Sequence, residues 1–150
     1  MLEDNFDSEN GGAAFTNYSG FTNWDVTDGT VDLIGNGFAD FLPGNGLYLD
    51  LDGSSANAGT LASKTTFTLD PGEYRLQLDL AGSQVGGSNT VAVGLGDVYS
   101  ESFTLPDTAP FATIIRNISV LTSTSCKLLF EHAGGDNIGL LLDHVTLVKQ

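Results

Sequence analysis

The chain predicts an all-β protein, a sandwich or barrel built from short strands. Three observations carry this. Strand-like runs recur about every ten residues, separated by Gly, Asn, Asp and Pro turns. Within several runs apolar and polar residues alternate, the period of a half-buried strand. No segment of ten or more residues shows helical spacing. Runs of this length and spacing suit a sandwich or barrel.

In chain order the predicted strands are 21–27, 30–34, 47–51, 59–69, 74–81, 90–95, 98–105, 111–121, 125–132 and 138–148. Asp28-Gly29 turns the first into the second, and Pro43-Gly44-Asn45-Gly46 and Asp52-Gly53 bracket the third. Asp70-Pro71-Gly72, Gly86-Gly87, Pro106-Asp107 and Gly134-Gly135-Asp136 punctuate the rest. Leu47, Leu49 and Leu51 share one face, with Tyr48, Asp50 and Asp52 on the other. Tyr74, Leu76, Leu78 and Leu80 oppose Arg75, Gln77 and Asp79, and Val91, Val93 and Leu95 oppose Ala92 and Gly94. Arg116 interrupts the apolar face of Ala112, Ile114, Ile118 and Val120. The longest unpatterned stretch is 35–46, which carries Phe38 and Phe41. Loops carry function more often than core strands do.

A length of 150 residues points to one domain spanning 1–150. A chain this long buries roughly 70% of its unfolded surface and needs no disulfide framework. Nineteen acids against five Lys and Arg give a formal net charge of −14. That argues against phosphate-led nucleic-acid binding and against anionic membranes, and it favours divalent cations. No 18-residue apolar stretch is present, so membrane insertion is not expected. Met1-Leu2-Glu3-Asp4 does not read as a signal peptide. Low Lys with high Gly, Ser, Thr and Asn suggests a mature extracellular or cell-surface domain with an added Met. Cys126 is a lone cysteine in a strand-like run and reads as a small core residue.

Asp143 is the residue that most needs a partner. In an unbroken strand over 138–148 it shares a face with Leu141, Val145 and Leu147, the expected core face. A carboxylate there is costly unless neutralised. Basic residues are scarce, so a bound cation is a candidate, with the acidic stretch from Glu3 to Glu9 able to complete its shell. The alternative is a hydrogen-bonded acid paired with Arg116 or with backbone amides. Asp50-Leu51-Asp52-Gly53 imitates the start of an EF-hand loop, but Leu61 stands where its last acid is required. Asp50 and Asp52 therefore line a solvated face or a ligand face. No Gly-x-Ser-x-Gly elbow and no His- or Cys-based zinc spacing is present, so no catalytic centre is expected. Trp24, Phe38, Phe41 and Tyr48 are candidate rings for a sugar platform. Core packing competes for Trp24, and Tyr48, beside Asp50 and Asp52, is the better exposed candidate.

Asp4-Asn5-Phe6-Asp7-Ser8-Glu9-Asn10-Gly11, Asn23-Trp24-Asp25-Val26, Gly29-Thr30-Val31-Asp32-Leu33-Ile34-Gly35, Gly46-Leu47-Tyr48-Leu49-Asp50-Leu51-Asp52-Gly53, Asp79-Leu80-Ala81-Gly82 and Leu142-Asp143-His144-Val145-Thr146-Leu147 form a pattern covering nearly the whole chain. It resembles the galactose-binding-like jelly rolls, which include non-catalytic carbohydrate-binding modules. It is similar also to secreted cyanobacterial proteins of the sorting-anchor (PEP-CTERM) type. The resemblance implies an antiparallel two-sheet jelly-roll sandwich with first and last strands adjacent. It implies a calcium ion (Ca2+) between them, with Asp7 and Asp143 as side-chain ligands and backbone oxygens near Asn5 and Gly46. Asp7 stands where the family usually has Glu, and Glu9 could substitute for it.

The expected function is a non-catalytic, extracellular, calcium-stabilised module that binds a polysaccharide or glycan through Tyr48, Asp50, Asp52, Trp24, Phe38 and Phe41. The alternative is a structural or adhesion domain of a cell surface, sheath or virion without a sugar site. Burial of Tyr48, Trp24 and both loop phenylalanines together would favour the alternative.

Overall fold

A computed structural model describes residues 1–134 and 136–150, so the middle of the predicted Gly134-Gly135-Asp136 turn lies outside the described residues. The chain folds as an antiparallel β-sandwich of the jelly-roll class. The strands are β1 (Leu2–Asp4), β2 (Trp24–Asp28), β3 (Asp32–Gly35), β4 (Leu47–Asp50), β5 (Thr60–Ser63), β6 (Phe67–Leu69), β7 (Gly72–Ala81), β8 (Ser88–Leu95), β9 (Tyr99–Pro106), β10 (Ala112–Val120), β11 (Thr124–Cys126), β12 (Leu128–His132) and β13 (Leu141–Lys149). One sheet runs β10-β7-β13-β4-β3, with β1 also beside β13. The other runs β2-β5-β12-β8-β9, and β6 pairs with β11 as a short ribbon.

The alternation read from the sequence sorts the faces correctly on β4, β7 and β8. Leu47, Leu49, Tyr74, Leu76, Leu78, Leu80, Val91, Val93 and Leu95 all enter the core between the sheets. Two long predicted strands are each divided. Run 59–69 becomes β5 and β6, and run 125–132 becomes β11 and β12. Ser63 causes the first break: its hydroxyl donates to the Thr65 carbonyl and accepts the Leu128 N–H, so the chain turns out of the sheet. The open side of the sandwich is closed by Arg116 on β10. Its Nε and Nη2 each lie 2.7 Å from a Glu101 oxygen on β9, and its guanidinium sits over Phe103. Arg116 is thus paired with Glu101 rather than with Asp143.

β13 departs from the expected period. Asp143 stands opposite Asp79, but Thr146 stands opposite Gln77, so three steps on β13 match two on β7. His144 absorbs the extra residue at φ +44°, in the left-handed region. Below the bulge Leu140 and Leu142 face the core; above it Val145 and Leu147 do. Asp143 therefore points to the opposite face, and its expected place among Val145 and Leu147 is corrected. The same bulge changes β13's neighbour: Leu141 and Leu142 pair with β4, while Val145 to Leu147 pair with β1. Asp143 lies at the gap where the end of β1 and the start of β4 meet.

Loop 36–46 also positions a site. Asn36-Gly37 forms a tight turn with positive φ at both residues, across which Gly35 and Phe38 exchange two backbone hydrogen bonds. The loop then folds back over β4. Tyr48 Oη accepts the Leu42 N–H and donates to Asp40 Oδ1, both at 3.0 Å. Ile34, Tyr48, Ala81 and Leu141, with Leu42 and Phe111, form a small apolar layer on the outer face of this sheet.

Candidate functional site

Asn5, Asp7, Glu9, Gly46 and Asp143 line one cavity of about 530 Å³. The fold assembles it from three places: the turn after β1, the turn before β4, and the β13 bulge. Asp7 Oδ1 accepts the Leu47 N–H at 2.9 Å, and Asp7 Oδ2 accepts Asn5 Nδ2 at 3.0 Å. Gly46 has φ +68°, and a Cβ there would overlap Asp7 Oδ1, so the close approach of Asp7 needs glycine. Glu9 is buried and accepts the Thr22 N–H at 2.8 Å. Asp143 Oδ1 accepts the His144 N–H at 2.7 Å.

Two more acids line the cavity: Asp79, and Asp4 from the acidic N-terminal stretch. Asp79 faces Asp143 directly across the β7–β13 ladder, and its Oδ1 is buried with no hydrogen-bond partner. Asp4 is buried and accepts Phe6 N–H, Asn23 Nδ2 and Trp24 Nε1 at 2.9–3.0 Å. Like charges opposed across a ladder repel. Burial raises the Asp143 carboxyl to about 7, and the charges of Asp7, Asp79 and Asp4 add to the rise. A proton or a cation relieves this. Among the described residues no three His, Cys, Asp or Glu side chains converge as a ready ligand set. Backbone carbonyls and amide oxygens would have to supply part of any shell, which is ordinary for calcium and unsuited to zinc. With an orphaned buried carboxylate oxygen and a glycine cradle, the donors fit a hard cation. In the sequence Asp79 belongs to a polar face and to the Asp79-Leu80-Ala81-Gly82 segment without a site role; its meaning depends on the register that sets it against Asp143.

The candidate sugar residues divide. Trp24 and Tyr48 are fully buried, which corrects the expectation that Tyr48 is exposed. Tyr48 does lie on the outer face, but loop 36–46 covers it, and burial pushes its hydroxyl up to about 12. Trp24 packs edge-on against Phe130 at 5.6 Å. Asp52 is also fully buried, and Asp50 is mostly so, which corrects their reading as a solvated face. His132 stands beside them, Nδ1 4.0 Å from Asp52 Oδ2. Phe38 and Phe41 remain at the surface, 50% and 38% exposed. A third exposed ring, Phe15 at 56%, is bridged to Leu33 on β3. It sits in an unpatterned Gly- and Ala-rich stretch that gave no strand signal. Cys126 is buried, and burial raises its thiol's pKa, so it is not poised as a thiolate nucleophile.

No protein-family model matches the chain, and no curated protein matches it in sequence. Solved structures do. The K3 cleaved adhesin domain of Lys-gingipain from Porphyromonas gingivalis is similar over 100% of this chain and 99% of its own, with 16% identity and a TM-score of 0.65. TmCBM61, solved in complex with β-1,4-galactotriose, is similar over 87% and 90%, with 16% identity and a TM-score of 0.59. The C-terminal CBM6 of LamC, a marine laminarinase from Zobellia galactanivorans, is similar over 99% and 98%, with 12% identity and a TM-score of 0.53. At these identities the likeness is one of fold. The chain has the jelly-roll architecture found in carbohydrate-binding modules.

Proposed function

We propose that this domain is a non-catalytic, calcium-stabilised carbohydrate-binding module acting outside the cell. The observation that carries the sugar reading is the pair of exposed rings, Phe38 and Phe41, on a loop held rigid by Tyr48 and Asp40. Such rings present apolar platforms to the C–H faces of a pyranose. A rigid loop loses little conformational entropy on binding. Fold likeness to a module solved with galactotriose, and to one from a laminarinase, supports the ligand class and leaves its identity open.

The platform has a direct test. Phe38→Ala and Phe41→Ala, singly and together, are expected to abolish retention in affinity gels containing β-1,4-galactan, laminarin or xylan. Their melting temperatures should stay close to the parent's, because both rings are already exposed. Retention undiminished in the double variant would remove the platform. The adhesin-like reading draws on the gingipain likeness and on the burial of Tyr48 and Trp24, but the exposure of Phe38 and Phe41 leaves its burial criterion unmet. It predicts no retention on any polymer, with or without calcium.

Calcium's role in this reading is to neutralise and bridge the carboxylates between the chain ends. Asp143 and Asp7 would supply side-chain oxygens, with backbone oxygens near Asn5 and Gly46 completing the shell and Asp79 and Glu9 lining the same cavity. At 100-fold over its dissociation constant calcium should stabilise the fold by about 2.7 kcal/mol. Asp143→Asn should erase that response. In chelator at pH 8 the same variant should melt at or above the parent, since it removes a carboxylate whose ionisation is disfavoured. An equal calcium response in parent and variant would locate the ion elsewhere.

A further inference from the structure

We infer that the outer face of the β10-β7-β13 sheet carries a second contact site, centred on Arg75, for a carboxylate-bearing sugar. The inference rests on the carbohydrate reading but not on the Phe38–Phe41 platform.

Arg75 lies on β7, between Asn117 on β10 and Val148 on β13. Tyr74 and Leu76 on either side enter the core, so Arg75 faces outward, as does Gln77. The next rung holds Ile115, Gln77 and Thr146. Ile115 and Val148 are 43% and 42% exposed and leave the face open.

Two arginines in this chain can be compared atom for atom. In Arg116 the Nε–Nη2 edge grips both oxygens of Glu101, each at 2.7 Å. In Arg75 the same edge is half used. Nη2 donates to Gln77 Oε1 at a long 3.3 Å, and Nε is buried with no partner. No carboxylate lies within ion-pairing distance of Arg75 among the described residues, although the chain has 19 acids. A buried donor left unmet favours any ligand that can satisfy it. A planar carboxylate is the group that satisfies this edge bidentately. Gln77, swinging aside, offers its amide to a neighbouring hydroxyl, as does Asn117, and Thr146 offers its own hydroxyl. Ile115 and Val148 give the ring apolar support. The net charge of −14 repels an anion at long range, so recognition depends on this short-range fork.

Calorimetric titration with galacturonate trimer, its methyl ester and a neutral β-1,4-galactotriose tests the site. The acid should bind at least 10-fold more tightly than its ester. Arg75→Gln should weaken acid binding at least 10-fold, with melting temperature and galactotriose binding unchanged. Arg75→Lys keeps the charge without the fork and should restore affinity only in part. Phe38→Ala/Phe41→Ala should leave acid binding intact. No binding of the acid, equal binding of acid and ester, or an Arg75→Gln protein that binds like the parent would each overturn the inference. If Arg75→Gln is silent while the Phe38 and Phe41 variants lose the neutral sugar, the platform stands and this site falls. Acid binding through Arg75 without any neutral binding means the opposite: this site stands and the platform falls.

Discussion

Replacing Trp24 with alanine is expected to cost the fold about 3–5 kcal/mol, the range for removing a large buried ring. The indole has no exposed surface, and it contacts Phe130 and Phe6 at ring separations of 5.6 and 6.4 Å. Its Nε1 donates to Asp4 Oδ2 at 2.9 Å. The substitution therefore opens a cavity at the heart of the sandwich and strips a donor from a buried carboxylate. A domain of this size loses about 2–4 °C of melting temperature per kcal/mol, so the drop should reach roughly 10 °C. Trp24→Phe separates the contributions. It keeps most of the packing and loses the hydrogen bond, at about 1–3 kcal/mol. Thermal melts followed by near-ultraviolet circular dichroism measure both, and a shift below about 2 °C for Trp24→Ala contradicts the packing described.

Asp50 should make the protein less stable as pH rises through neutrality. It sits on β4 opposite Leu141 and Asp32, and its Oδ1 accepts the Asp52 N–H at 3.0 Å. Burial raises its carboxyl to about 7, and the charges of Asp32, Asp52 and Asp136 push it further up against that hydrogen bond. The folded pKa lies above the unfolded one. The folded state thus holds the extra proton, and stability is full below about pH 4. It falls as pH rises from there through about 7. The shift corresponds to roughly 2–4 kcal/mol between those limits. Asp50→Asn imitates the protonated acid. It should melt higher than the parent at about pH 8, and the advantage should vanish at about pH 4. Asp143 acts with the same sign, so the comparison is made in chelator and repeated in Asp143→Asn. Parallel pH–stability curves for parent and Asp50→Asn would mean that Asp50 does not carry the effect.

Much of the architecture was legible because strand periodicity and turn chemistry are local. Leu47, Leu49 and Leu51 reach the core as their alternation says, and so do the apolar residues of β7. The five residues expected around a cation do line one cavity, although the expected reason was partly wrong. Asp143 was to be a core acid, and it is instead a bulge acid. Nothing local signals that His144, not a glycine, takes the left-handed conformation. Tyr48 escaped the sequence for a different reason. Alternation assigns a face, and exposure depends on what covers that face. An unpatterned loop folding back onto its own sheet has no periodic signature.

The sequence by itself determined the fold class and the inward and outward faces of most strands. These follow from near-neighbour sterics and from where apolar area must go. Tertiary structure alone decided which acids meet, which aromatics stay wet, and which arginine lacks a carboxylate. Asp79 meets Asp143, Phe38 and Phe41 stay at the surface while Tyr48 does not, and Arg116 rather than Arg75 takes Glu101. The physical reason is the same in each case. Register, a one-residue bulge and a folded-back loop bring together groups far apart in the chain, and the energy of a charge or a ring depends on what then surrounds it.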